Sequence, residues 1–171
     1  MPAVITTTER LIIRQLEVGD AVFMLEIVNS PGWLKYIGDR NVHSVEDAVT
    51  YLEKGAITSY TLNGFGLWMV EQKHEGSPVG LCGLIRRPGL EDVDLGFALL
   101  PGKEGNGYAL EAAVACVAQA KLSGIEKLVA ITTPGNASSI RLLGKLGFAF
   151  TGQVTLPGST EVLNLYSLPL A

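Results

Sequence analysis

Between Asp94 and Ser123 the chain reads DLGFALLPGKEGNGYALEAAVACVAQAKLS, and this stretch limits the fold more than any other. Leu95, Phe97, Ala98, Leu99 and Leu100 form an apolar run of strand length, Pro101 ends it, and Gly102, Gly105 and Gly107 precede an alanine-rich segment that reads as a helix. The order is therefore strand, glycine loop, helix. Glycine lets backbone approach a bulky group with no Cβ in the way, and the first turn of a helix leaves amide N–H groups unpaired. Those amides lie at the positive end of the helix dipole, so Gly105, Asn106, Gly107, Tyr108 and Ala109 can together hold a phosphate or pyrophosphate. The same glycines would equally make a tight turn with no ligand, and the loop alone leaves both readings open.

A chain of 171 residues with 47% hydrophobic and 18% charged side chains is expected to form one domain with a full core, spanning residues 1–171. A net charge of −4 and scattered basic residues give no general attraction to nucleic acid or to an anionic membrane. Cys82 and Cys116 fall in apolar runs, which suits buried thiols in a reducing compartment better than a disulfide. No metal site is expected, because His43 and His74 stand apart and neither cysteine has a close partner in sequence. Without a span-length apolar stretch or the basic-then-apolar order of a signal peptide, the expected location is cytoplasmic.

Residues 8–16 (TERLIIRQL) read as the opening strand, and Asp20 as the cap of a first helix over 22–29 that Ser30, Pro31 and Gly32 stop. The following WLKYIGDRNV reads as a loop too rich in glycine and turn formers to be core. Ser44 with Asp47 resembles a capping box, opening a second helix to about residue 60. Strands follow over 65–72, 78–86 and 91–100, forming a meander. The glycine-loop helix over 107–123 then leads to a strand over 127–132. A strand, helix and strand joined in this way make a parallel pair with a right-handed crossover. A last helix runs from Asn136 through Lys145, ended by Gly147, and strands over 148–155 and 162–168 close the chain. The expected class is α/β of the α+β kind: a mixed, mostly antiparallel sheet of about six or seven strands.

A parallel pair that hands over to an amide-lined helix start places a ligand at the carboxyl ends of its strands. Two familiar phosphate sites are excluded. There is no Gly-Lys-Ser/Thr, and Gly105-Asn-Gly107 continues into Ala109 and Leu110 where a dinucleotide fingerprint wants a third glycine. No acidic residue ends the following strand to hold a ribose, which disfavours a nicotinamide enzyme.

The run LGFALLPGKEGNGYALEAA resembles the acetyl-CoA-binding segment of the GNAT superfamily of N-acetyltransferases, and NASSIRLLGKLGF resembles its following Asn-helix-Gly-Phe segment. TERLIIRQLEVGD and YIGDRNV are similar to the branch that includes the ribosomal-protein alanine and serine N-acetyltransferases, so the resemblance covers residues 8–168. It implies helices on both faces of the sheet and a parallel pair that splays apart. It also implies acetyl transfer from acetyl-CoA to a primary amine, on a protein N-terminus or a small molecule, by a monomer or homodimer.

Carried onto this chain, the resemblance gives the CoA pyrophosphate to the amides of Gly105, Gly107 and Tyr108, within a loop that also includes Lys103, Glu104, Asn106 and Ala109. It sets the backbone of Phe97, Ala98 and Leu99 along the pantetheine arm, and Asn136 and Ser139 beside the thiol end. Two positions depart from the pattern: Gly102 stands where a Gln or Arg is common, with Lys103 as the substitute charge, and Leu143 stands where many members carry a tyrosine acid.

Amine acetylation needs a neutral nitrogen, a polarised carbonyl and a proton for the departing thiolate. Asp94 is the expected base; its other reading is a solvent-facing surface carboxylate. Ser139 is the first expected acid, or else a local helix-start hydroxyl, and Tyr166 is the alternative acid, or else a packed strand aromatic. Glu111 is expected to be structural, and Asn136 serves at least as an N-cap. Trp33, Tyr36, Arg40, Phe65 and Trp68 are the expected acceptor wall, or else core aromatics. A second class of function stays open on the Leu143 and Gly102 departures: a CoA-binding sensor or interaction module without catalysis.

Overall fold

The computed structural model describes residues 2–170. Its frame is one sheet of eight strands in the spatial order β1-β2-β3-β4-β5-β6-β8-β7. The strands are β1 Val4–Thr7, β2 Leu11–Gln15, β3 Leu67–Gln72, β4 Pro78–Ile85, β5 Val93–Leu99, β6 Lys127–Thr132, β7 Ala149–Val154 and β8 Leu163–Pro169. Every neighbouring pair is antiparallel except β5 with β6. The expected class holds, with one more strand than the sequence suggests. β1 is the addition: the amide of Thr8 donates to Leu11 O and its hydroxyl accepts from the Leu11 amide, so the chain folds back where a single strand from residue 8 was expected.

Period-two alternation divides the strand side chains between two cores. On one face Ile13, Trp68, Val70, Cys82, Leu84 and Leu128 pack beneath α5 (Tyr108–Leu122) and α6 (Ala137–Leu146). α5 presents Ala112, Ala113, Cys116 and Ala120 to the sheet, small residues that let a helix lie close over strands carrying large ones. On the other face Met69 and Leu81 pack beneath α1 (Ala21–Val28), α2 (Pro31–Tyr36) and α3 (Val45–Leu52). A π turn over Glu53–Ile57 carries α3 on into α4 (Thr58–Asn63).

The loop expected over WLKYIGDRNV is corrected by α2. Pro31 stands at the first helical position, where its missing N–H costs nothing, so it begins a helix here instead of only ending one. Trp33 and Val42 are consequently core residues, 6% and 3% exposed. α6 ends as expected: the amide of Phe148 donates to Leu143 O across Gly147, returning Phe148 to the core.

The parallel pair is brief. Val93 faces Leu128 and Asp94 faces Val129, and the pairing goes no further. β5 nevertheless continues against β4 as far as Leu99, and β6 continues against β8 as far as Thr132. Each strand is held from its outer side while the two draw apart toward their carboxyl ends.

That divergence depends on β4 and β5 staying close. A Cβ on Gly80 would lie 2.2 Å from the carbonyl oxygen of Ala98, a backbone atom that cannot swing aside. Gly80→Ala is expected to lower the unfolding free energy by about 1–3 kcal/mol, the usual range for overpacking, as read from urea denaturation.

Candidate active site

A cleft of about 1460 Å³ opens where β5 and β6 part. β5 contributes Asp94, Phe97, Ala98 and Leu99; the glycine loop contributes Glu104, Gly105, Gly107, Tyr108 and Ala109; the end of β6 and the start of α6 contribute Thr132, Thr133, Asn136 and Ser139. From the other side of the sheet come Trp33, Tyr36 and Arg40. Most of the site residues expected from the sequence thus share one cavity. Lys103 and Asn106 stay in the loop without lining it; Asn106 turns its side-chain Nδ2 back to donate to the carbonyls of Lys103 and Glu104 at 3.3 Å.

The loop amides are exposed and uncommitted. Among the described residues none of the backbone amides of Gly105, Asn106, Gly107, Tyr108 and Ala109 donates to another group. Gly107 is the N-cap of α5 at φ +80°, a conformation that suits glycine, and no side chain caps the helix. A Cβ at Gly107 would also sit 3.3 Å from Arg10 Nη2.

Arg10 was not foreseen. Its guanidinium donates through Nε to Glu111 at 2.7 Å and through Nη1 to the Asn106 carbonyl at 2.9 Å, and it stacks on the Tyr108 ring at 4.6 Å. The Arg10 amide and the Thr8 hydroxyl also bond Glu111. Burial raises the Glu111 pKa, but the hydrogen bonds from Thr8 and Arg10 together with the Arg10 charge outweigh it, so the group sits below its ordinary value. Glu111 is therefore structural, as expected: it ties the β1–β2 turn to the start of α5 and leaves the forward-facing amides alone. Nothing local in sequence joins residues 10 and 111; only the fold brings them together.

Asp94 is not the surface carboxylate of its alternative reading: it is 1% exposed. One carboxylate oxygen accepts from Arg87 Nε at 2.5 Å, and the other has no partner among the described residues. Burial pushes its pKa up, and the attraction and hydrogen bond of Arg87 restrain the rise, leaving it at about 6. A carboxylate in that range can exchange protons near neutrality.

The remaining expectations divide. Ser139 lines the cleft half-buried, with its amide held by Asn136 Oδ1 at 3.3 Å, so Asn136 is the cap of α6 as well as part of the wall. Tyr166 is packed in the α5–α6 core, edge-on to Phe150, and its hydroxyl accepts from Asn164; it does not reach the cleft. Leu143 is fully buried in that core. Phe65 and Trp68 are corrected in the same way: both are core residues beneath α5, on the face away from α1 and α2, and neither lines the cleft. Trp33 keeps its place in the wall, its buried indole N–H unpartnered among the described residues.

A splayed parallel pair beside an uncapped helix start is the arrangement that the resemblance to acetyl-CoA-dependent transferases implied, and comparison with known proteins shows the family. Residues 10–149 match the acetyltransferase (GNAT) domain family. The chain belongs to that family and is a GNAT-type acetyltransferase. It is 26% identical over 152 residues to the uncharacterized N-acetyltransferase YoaA of Bacillus subtilis, covering 86% of this chain and 84% of the relative. Among solved structures it is similar to an acetyltransferase from Agrobacterium tumefaciens, with a TM-score of 0.81 at 25% identity over 95% of this chain and 92% of that one. The ribosomal-protein-S5-alanine acetyltransferase of Vibrio fischeri shares the fold, with a TM-score of 0.79 at 19% identity over 96% and 95% of the two chains. So does the microcin C7 self-immunity acetyltransferase MccE, solved with acetyl-CoA and AMP, with a TM-score of 0.81 at 18% identity over 99% and 97%.

The buried position of Asp94 carries a signature in stability. Its folded pKa of about 6 lies above the ordinary carboxylate value near 4, so the folded state binds the proton more tightly than the unfolded one. Its stabilising contribution is complete below about pH 4 and is lost as pH rises through about 6. The difference in Tm between wild type and Asp94→Asn, followed by thermal denaturation from pH 8 to pH 4, is expected to move in favour of wild type as pH falls.

Proposed function

We propose that this protein moves the acetyl group of acetyl-CoA to a primary amine by direct attack within a ternary complex. The observation that carries the reading is the set of uncommitted amides from Gly105 to Ala109 at the mouth of a cleft opened by the parting of β5 and β6. The amides suit a pyrophosphate by number, direction and dipole. Acetyl-CoA supplies an activated acyl group with a thiolate leaving group; the chain's residues do the rest.

In this reading the backbone of Phe97, Ala98 and Leu99 orients the arm, whose inward edge has no strand partner beyond Asp94. Asp94 takes a proton from the acceptor ammonium, directly or through water, and its environment keeps it ionised above about pH 6. Ser139 stands on the opposite wall as the hydroxyl nearest in role to an acid, since Tyr166 and Leu143 both lie in the core. Cys82 and Cys116 are buried, and the hydrogen bond with Cys82 together with burial holds the Cys116 thiol well above its ordinary pKa, which argues against a covalent acyl-enzyme.

Trp33, Tyr36 and Arg40 form the acceptor wall. The acceptor is a protein N-terminus or a small amine. No helix among the described residues is long and apolar enough to cross a membrane, and a cytoplasmic enzyme, monomeric or dimeric, fits the reading. A CoA-binding module without catalysis is the second reading, favoured by Leu143 occupying the core where an acid is common.

With acetyl-CoA and a panel of amines and peptides, free thiol release is expected from the wild type. kcat/KM should fall about tenfold per pH unit below about pH 6. Asp94→Asn should lower kcat by roughly 10²–10⁴-fold and remove that inflection. Gly107→Trp, which fills the cradle, should abolish both binding and release; binding without release on any acceptor would favour the silent module.

A further inference from the structure

Two hydroxyls in the wall of the cleft have no use in the mechanism above. Thr132, the last residue of β6, is 6% exposed, and its Oγ1 is buried with no hydrogen-bond partner among the described residues. Thr133 Oγ1 is in the same condition. Both residues line the cleft, beyond the point where β5 and β6 cease to pair. Their backbone is engaged, since Thr132 pairs with Asn164 of β8 and the Thr133 carbonyl accepts from the Asn136 amide at 3.1 Å. Only the side-chain hydroxyls are left over.

A buried hydroxyl without a partner destabilises the fold, and a valine would fill nearly the same space without that cost. The partner is therefore to be sought in what enters the cleft. We propose that Thr132, assisted by Thr133, is a positioning residue that hydrogen-bonds an amide of the pantetheine arm. This rests on the reading of the cleft as an acetyl-CoA site.

Position and chemistry both select the arm over the thioester. Thr132 lies three residues beyond Val129, the partner of Asp94, which is roughly 10 Å along a strand. That is too far to act where Asp94 acts, and it falls between the acceptor end and the phosphate end. The strand wall there is apolar, formed by Phe97, Leu99 and Ile131. The unpaired backbone of β5 serves one side of an arm bearing two amides, and a polar partner from the β6 side offsets the loss of water on the other. A hydroxyl is both donor and acceptor and can serve either face of an amide.

The test compares wild type with Thr132→Val, Thr132→Ser and Thr133→Val. Without ligand, Thr132→Val should raise Tm, because an unpaired buried hydroxyl is removed. Calorimetric titration with CoA should show Kd about tenfold weaker, and kinetics should show a comparable rise in KM for acetyl-CoA with kcat moving less than twofold. Thr132→Ser should restore CoA affinity to within about threefold of wild type, and Thr133→Val should reproduce the signs of Thr132→Val at smaller size.

A lower Tm for Thr132→Val with unchanged CoA affinity would make the hydroxyl structural and overturn the proposal. A loss in kcat at unchanged Kd would place it at the thioester and overturn it equally. Failure of wild type itself to bind CoA would instead overturn the reading of the cleft on which the proposal rests.

Discussion

The chemistry of this fold depends on two neighbouring strands that stop hydrogen-bonding to each other. Backbone N–H and C=O groups left unpaired inside a protein are costly, so strands normally stay zipped. Here β5 and β6 separate after Asp94 and Val129 because each is secured elsewhere, β5 along β4 to Leu99 and β6 along β8 to Thr132. The fold thereby holds two half-ladders open at a fixed spacing. In the proposed reading, a ligand whose own amides complete those ladders would be recognised by the backbone of Phe97, Ala98 and Leu99 and not by their side chains.

The phosphate end of the cleft follows a related rule. α5 begins without a side-chain cap, so its first amides remain available to an anion. An acidic residue in the first turn, Glu111, would ordinarily compete for that positive end. It is drawn aside instead by Thr8 and Arg10, which neutralise it and anchor the β1–β2 turn to the helix. Arg10 also stacks on Tyr108 and binds the Asn106 carbonyl, so the loop is held from behind while its front is left open. At the other end Asp94 shows the opposite balance: burial dominates, and a single arginine contact compensates only in part.

Much of this was legible in sequence, where the cause is local. The strand, glycine loop and helix from Asp94 to Ser123, the caps at Ser44 and Asn136, and the stop at Gly147 each follow from the conformational preferences of a few adjacent residues. Local signals were weaker at the amino-terminal end. The polar run Thr6, Thr7, Thr8, Glu9 marks neither strand nor turn clearly, and the hairpin that makes β1 was hidden until β2 supplied a partner. Pro31 illustrates a real ambiguity, since proline serves equally well just after one helix and at the start of the next.

Local preferences in the chain suffice for most of the elements, their order and an anion-ready helix start, all but β1 and α2, because dihedral preference, capping and hydrophobic period act over a few residues. Which face each strand residue occupies is settled by long-range packing. Trp68 and Tyr166 went to the core beneath α5 and α6 while Phe97 and Leu99 also line the cleft, since alternation along a strand separates two faces without saying which one a helix will cover. The meeting of Arg10 with Glu111, the burial of Asp94 and the stranded hydroxyl of Thr132 are likewise tertiary facts. Each depends on groups far apart in the chain being brought together, and on water being removed from between them, which no local preference encodes.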